Sequence, residues 1–332
     1  MTDMASSPVA LIIPNFNGAA LLRANLPSVL RAARSYPGGW EVIVVDDAST
    51  DDSVGVLERE FPLVRLVRHA ENLGFAAAIH SGVEAAQAEF MVFLNSDVRP
   101  DAGFIEPLVQ HLLSPEVFSV TPLIVDGRGE VTEEAWRCYE LRRGRLRLIQ
   151  LKGRVPPHWV ETAFASGGSM ALRKSRFIEL GGFAPIFQPF YSEDSDLGLR
   201  AWRRGWASRF EPGCRVVHDH VGSSINTQVP SFRVRRIRRR NQFLFEWIHL
   251  PASDLFGSLL LGYLRQALGR LLRLDIAYFG GLAAALWHLP QVLMLREKIR
   301  ETQRLGFWGI MSRVERSLGS VEATDGYPSH QP

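Results

Sequence analysis

FMVFLNSDVRPD, residues 90–101, is the stretch on which the reading of this chain turns. Residues 90–94 are an unbroken apolar run of strand length, and the run ends in Asn95-Ser96-Asp97. A buried strand that delivers a carboxylate at its end is how an α/β sheet presents a ligand group at its carboxyl edge. Such oxygen donors suit Mg²⁺ or Mn²⁺ carrying a diphosphate, because these ions take one or two protein carboxylates and leave other positions to phosphate and water. Taken alone, Asp97 is equally well explained as a cap for the helix expected after Pro100.

Upstream, the pattern recurs. Residues 9–14 (VALIIP) read as a buried parallel strand that runs into Asn15-Phe16-Asn17-Gly18, with a turn signal at Asn17-Gly18. Leu22, Leu26, Val29, Leu30 and Ala33 then share one helical face, and Pro37-Gly38-Gly39 ends that helix. Residues 41–45 form the next expected strand and run into Asp46 and Asp47. Ser49 stands three residues before Asp52, a capping-box-like start for a helix through Leu57. Asp51 and Asp52 are explained as caps; Asp46 and Asp47 precede the helix, and capping does not explain both. Residues 64–67 make a third strand, followed by a tight loop at Asn72 and Gly74 and a helix of small residues reaching Ala86. Four alternations of strand and helix predict a mostly parallel, Rossmann-like sheet between helices. Asn15, Asp46/Asp47 and Asn95/Asp97 then share its ligand-binding edge. A dinucleotide-binding domain is excluded, since Pro14-Asn15-Phe16-Asn17-Gly18 stands where G-x-G-x-x-G is required.

Four segments in this order, ALIIPNFNG, VIVVDDASTD, ENLGFAAAIHSGV and FLNSDV, resemble glycosyltransferase family 2. These are inverting sugar-nucleotide enzymes of the GT-A fold, and the likeness extends to bacterial rhamnosyl- and galactofuranosyl-transferases. The resemblance implies a nucleotide-sugar site in which Pro14, Asn15 and Phe16 line the base and ribose. It implies that Asp47 accepts a hydrogen bond from the base, with Asp46 beside it, and that Asn72 and Gly74 lie near the ribose and diphosphate. Asp97 matches the last Asp of the family's D-x-D metal motif. Asn95 replaces its first Asp and would be a weaker helper beside Ser96. The implied cofactor is Mn²⁺ or Mg²⁺, and the implied donor is a UDP-, dTDP- or GDP-linked sugar.

In the second half, residues 106–113 read as a helix and 118–125 as a strand. Between Arg137 and Arg154 the chain is strongly basic, with leucines interleaved. That segment reads either as a solvated surface or as a patch facing anionic lipid or a pyrophosphate-linked acceptor. Gly167 and Gly168, before a strand at 170–172, suit close backbone approach to a ligand, and in the family this segment borders donor sugar and acceptor. YSEDSDLGLRAWRRGW, residues 191–206, is an amphipathic helix with Glu193, Asp194 and Asp196 in its first turn. The helix dipole favours such acids. The family's E-D-x-D-L pattern implies that one of the pair is the general base, Asp194 first and Glu193 second, with Asp196 capping or orienting. The dipole alone would depress the pKa of that base, so burial or neighbouring acids must offset it. RVVHDH, 215–220, ends in two histidines before Gly222-Ser223-Ser224; the resemblance implies a metal-binding His, His218 by its spacing and His220 as runner-up.

The chain has 332 residues, 46% of them apolar, and a net charge of +3. That allows a sizeable core and argues against disorder. Its two cysteines, Cys138 and Cys214, make no disulfide framework and fit a reducing compartment. MTDMASSPVALIIP has no basic stretch before its short apolar run and is expected to begin a strand, not a secretion signal. From Ser231 an arginine run precedes Phe and Trp, which suits a membrane interface better than nucleic acid. Residues 255–272 read as an amphipathic helix. Residues 274–295 are about long enough to span a bilayer, which needs ~20 residues, but Asp275, His288 and Pro290 lie inside. The favoured expectation is a helix lying on the membrane or packed on the catalytic domain.

The expected organisation is therefore a GT-A catalytic domain over 1–230, with a nucleotide-sugar half over 1–125 and an acceptor half over 126–230. A basic, amphipathic, helical and membrane-associated region follows over 231–316, then a disordered tail over 317–332. The expected function is inverting, metal-dependent transfer to a glycan or lipid-linked acceptor in cell-envelope polysaccharide synthesis, at the cytoplasmic face of the membrane. Two alternatives are a nucleotidyltransferase, which would want a basic glycine-rich loop where residues 15–20 hold no Lys or Arg, and a non-catalytic membrane-bound scaffold, which would be expected to have lost the acids.

Overall fold

The structure, a computed structural model, describes residues 7–132, 134–151, 155–219 and 229–324. The first hundred residues alternate as their apolar periodicity requires: β1 (Val9–Asn15), α1 (Ala19–Ser35), β2 (Trp40–Asp46), α2 (Ser53–Glu60), β3 (Arg65–Arg68), α3 (Phe75–Ala85) and β4 (Phe90–Phe93). These four strands pair in parallel in the order β3-β2-β1-β4. The side chains of β1, β2 and β4 are largely buried on both faces, which is why these strands read as continuous apolar runs, whereas the edge strand β3 is partly exposed. The small residues of α3 serve packing: a Cβ on Gly82 would lie 2.3 Å from Ile12 Cγ2 and 3.2 Å from Val45 Cγ2.

Beyond β4 come β5 (Val98–Pro100), α4 (Ile105–Leu112), β6 (Val117–Val125), β7 (Arg137–Arg142), β8 (Arg145–Gln150), β9 (Val160–Thr162), β10 (Ala171–Arg173), α5 (Lys174–Glu179), α6 (Glu193–Arg203) and β11 (Ala207–His218). The full sheet runs β3-β2-β1-β4-β10-β6-β11-β5, with β9 beside β11. It is mixed where a mostly parallel sheet was expected. β10 is antiparallel to both β4 and β6, and β11 is antiparallel to β5 and β9. The loop of four residues between β4 and β5 is too short for a parallel crossover. β5 therefore leaves β4 and pairs with the far end of β11.

Helix α2 starts without a side-chain cap. Ser49 instead accepts a 2.8 Å bond from the Asn17 amide, so the capping-box expectation fails to a competing loop contact. The basic segment after Arg137 is a β-hairpin of β7 and β8, which interleaved Arg and Leu disguised as surface.

The C-terminal part is helical: α7 (Ser231–His249), α8 (Leu260–Leu271), α9 (Ile276–Trp287), α10 (Leu289–Thr302) and α11 (Phe307–Thr324). It is no appendage. Phe243, Leu244, Tyr278 and Phe307 share one core with Trp136, Phe164, Trp202 and Phe210 of the sheet domain. The expected tail differs as well, since α11 continues to Thr324 and Ser317 Oγ accepts from the Glu161 amide at 2.9 Å. Among the described residues no single helix is long and apolar enough to cross a membrane; α9 and α10 are bent by 60° at their junction. His288 and Pro290 mark that break, proline being tolerated in a first turn and not within a continuous span.

Candidate active site

Three strand ends converge as the alternating pattern requires. At the end of β1, Asn15 Nδ2 donates to Asp46 Oδ2 at 3.0 Å, and the Asp47 amide donates to Asn15 O at 2.8 Å. Pro14 and Phe16 stand half-buried beside them. Asp47 accepts from His69 Nδ1 at 2.7 Å, from the Leu73 amide at 2.9 Å and from the Gly74 amide at 2.7 Å. Both of its oxygens are taken by protein donors, and Asp46 and Asp47 are buried. These two acids thus brace the loops on either side of the strand ends, leaving Asn72 exposed on the 69–74 loop.

Asp97 lies in the turn from β4 to β5, half of a pair that the sheet topology assembles. β5 is in register with the end of β11, His218 facing Val98. The His218 Nε2 atom sits 3.2 Å from Asp97 Oδ1, and His218 Nδ1 sits 2.9 Å from Glu134 Oε2. Burial disfavours the charged imidazole, but the two carboxylates outweigh it and His218 is pushed up to about 9. Glu134 carried no signal in the sequence; only the fold brings it to the histidine. His220 and residues 222–224 lie outside the described residues.

The acidic start of α6 joins this edge through residues 166–169. The Asn95 amide donates to Gly168 O at 2.9 Å, and the Gly167 amide donates to Asp194 Oδ2 at 3.2 Å. A Cβ on Gly168 would fall 2.6 Å from Asn95 Nδ2, so the close neighbour of this glycine is the Asn95 side chain. Asp194 also lies 3.6 Å from an Arg137 Nη1. Arg137, whose guanidinium stacks over Phe164, belongs to the site and not to the solvated surface. The two carboxylates of the pair differ. Glu193 Oε2 is buried with no hydrogen-bond partner among the described residues. Burial, with the charge of Asp194 beside it, pushes the Glu193 carboxyl up to about 8.

Asp196 ties α6 to its surroundings and does not cap it. It pairs with Arg200 at 2.7 Å and with His249 Nε2 of α7 at 3.0 Å. Burial opposes its charge, yet Arg200 and His249 hold its pKa below the ordinary range. Ahead of α6, Tyr191 and Ser192 take positive φ of 76° and 74°. Such backbone costs on the order of 1–3 kcal/mol per residue and must be held. Asn241 Nδ2 lies 2.8–2.9 Å from the carbonyls of Phe187, Phe190 and Tyr191, and Arg238 reaches the Tyr191 hydroxyl at 2.9 Å. Part of the arginine run read as a membrane flank is therefore turned onto the loop that leads into α6.

A mixed sheet in this strand order, with carboxylates gathered at one edge and helices on both faces, defines a GT-A nucleotide-sugar transferase fold. Two solved structures share it. GalNAc-T7 with UDP, GalNAc and Mn²⁺ aligns over 97% of this chain and 58% of its own, at TM-score 0.64 and 16% identity. The mannosyltransferase PcManGT from Pyrobaculum calidifontis, in complex with GDP-Man and Mn²⁺, aligns over 96% of this chain and 87% of its own, at TM-score 0.52 and 21% identity. The family described as "Glycosyl transferase family 2" matches residues 10–181, more than half of the chain, and the chain belongs to that family.

Among curated relatives, the pre-mycofactocin glycosyltransferase of Mycobacterium tuberculosis is 34% identical over 64% of this chain and 43% of its own length. The N-acetylglucosaminyl-diphospho-decaprenol L-rhamnosyltransferase of the same organism is 27% identical over 55% of this chain and 67% of its own. The chain thus spans less than half the length of the first of these.

Proposed function

We propose that this protein transfers a glycosyl group from a nucleoside-diphosphate sugar to a hydroxyl of a glycan or lipid-linked acceptor, with inversion, in cell-envelope synthesis. One observation carries the reading. Residues 166–169 hydrogen-bond to Asn95 on one side and to Asp194 on the other, joining the strand end that carries Asn95 to the acidic start of α6.

The donor set fits a divalent cation. Adjacent ligands of a six-coordinate Mg²⁺ with ~2.1 Å bonds stand about 3 Å apart, and Asp97 Oδ1 and His218 Nε2 are 3.2 Å apart. Glu134 holds the other ring nitrogen, as carboxylates commonly hold ligating histidines. Asp97 and His218 would hold the ion; when bound, it supplies Lewis-acid stabilisation to the departing diphosphate. The ions and nucleotides in the two structural neighbours support the same assignment.

Asp194 accepts the proton of the acceptor hydroxyl while that oxygen bonds to the anomeric carbon and the bond to the diphosphate oxygen breaks. Base assistance of this kind contributes about 10²–10⁴-fold. Glu193 stays protonated at neutral pH and does not compete for that proton. Pro14, Phe16 and the Asn72–Gly74 turn wall the nucleotide, with Asp46 and Asp47 bracing them from beneath. The test is a thermal-shift panel of UDP-, dTDP- and GDP-sugars with and without Mn²⁺. A metal-dependent rise with one nucleotide is expected, because a ligand at a hundred times its Kd stabilises the fold by about 2.7 kcal/mol. No rise with any of them overturns the reading in favour of a non-catalytic scaffold.

A further inference from the structure

Helix α8 is built inside out for a protein in water. Gly262 is buried, while Tyr263 and Ala267 pack on the core beneath. The residues facing out are leucines at helical spacing: Leu261 at 57% exposure, Leu264 at 60%, Leu268 at 62% and Leu272 at 78%. A surface helix ordinarily turns its apolar stripe toward the core. Exposed apolar stripes rimmed by charged residues mark interaction sites.

Beside this stripe lies a cleft lined by Arg143, Arg145, Arg147, Gly262 and Arg265. None of these four arginines has a carboxylate within ion-pair distance among the described residues. The cleft is a close-packed junction. Arg143 and Gly144 form the hairpin turn between β7 and β8, both at positive φ (52° and 68°). A Cβ on Gly262 would lie 1.7 Å from Gly144 O, and one on Gly144 would lie 2.4 Å from Ser258 O. Backbone therefore meets backbone, and the turn holds its arginines against the leucine-bearing helix.

We propose that α8 and the β7–β8 turn form a docking surface for an anionic lipid bilayer. The leucine stripe enters the boundary between headgroups and acyl chains. The arginine cleft takes the lipid phosphates. Charge complementarity selects this occupant: a second copy of the chain would bring the same uncompensated arginines to the contact, whereas an anionic leaflet neutralises them. An amphipathic helix with Arg on one flank and leucines on the other lies in the interface plane. Vesicle binding is read without turnover, so the proposal stands apart from the assignment of donor and base.

The test is sedimentation of the full chain with phosphatidylglycerol vesicles and with phosphatidylcholine vesicles, at low and high salt. Strong, salt-sensitive binding to the anionic vesicles is expected. Arg145→Glu with Arg147→Glu should weaken it by at least about fivefold per position, the worth of one basic residue near a charged leaflet. Leu264→Glu with Leu268→Glu should weaken binding to both vesicle types. All four residues are exposed, and unchanged circular dichroism would verify that the variants fold. Equal binding to both vesicle types, or none by the unmodified chain, overturns the proposal. So does self-association in sedimentation velocity that the leucine variant abolishes while vesicles bind neither form.

Discussion

Glu193→Gln and Asp194→Asn separate two adjacent carboxylates that the sequence alone leaves interchangeable. Burial, reinforced by the charge of Asp194, raises the Glu193 carboxyl from 4.5 to about 8. The folded state therefore binds this proton more tightly than the unfolded chain does. The associated stability is complete below about pH 4.5 and is lost as the pH rises toward 8. Over that window the loss approaches about 1.4 kcal/mol per pH unit, at most on the order of 5 kcal/mol in all. Glutamine has the shape of the protonated acid and cannot ionise. Denaturant melts of the two forms at pH 6 and pH 8 should show the unmodified protein losing about 2 kcal/mol more than Glu193→Gln. Comparing the forms cancels His218, whose raised pKa also removes stability as pH rises toward about 9. In kinetics at pH 7, Glu193→Gln should retain transfer within a few-fold, while Asp194→Asn loses at least about 10² with nucleotide binding intact. The reasoning is refuted if Glu193→Gln loses as much rate as Asp194→Asn, or if its pH 6 to pH 8 stability change equals that of the unmodified protein.

Gly168→Ala should cut kcat by tenfold or more with little change in fold, because its methyl would displace the Asn95 amide that it meets at 2.6 Å; unaltered kcat would detach this segment from the chemistry. Asp97→Ala should remove the part of nucleotide affinity that depends on Mn²⁺, read by calorimetry with and without the ion. Asn241→Ala leaves three loop carbonyls without their shared donor. It should lower stability by about 1–3 kcal/mol and also reduce kcat by loosening the turn before Glu193; a stability loss with undiminished kcat would make Asn241 merely structural.

The nucleotide half was legible because its signals are local. An apolar run that stops at Asp46, or at Asn95 and Asp97, states both the strand and its chemistry within a few residues. The Gly167-Gly168 pair was similarly open to reading, although its partner Asn95 was not. Ser49 misled because a serine three residues before an acid reads as a cap wherever it occurs. The β5 strand is only three residues long, and its pairing with β11 crosses more than a hundred positions, so no window of sequence contains it.

By itself the sequence determined the four parallel strands, the acids at their ends, the acidic start of α6 and the family resemblance, because side-chain periodicity and strand-end chemistry are properties of neighbouring residues. Tertiary structure alone decided the rest. It placed Glu134 and Asp97 on the two nitrogens of His218, and it turned Arg137 from a basic surface run onto Asp194. It packed the C-terminal helices into the catalytic core and left the leucines of α8 outward. Each depends on which distant surfaces bury one another, and that is settled by the packing of the whole chain.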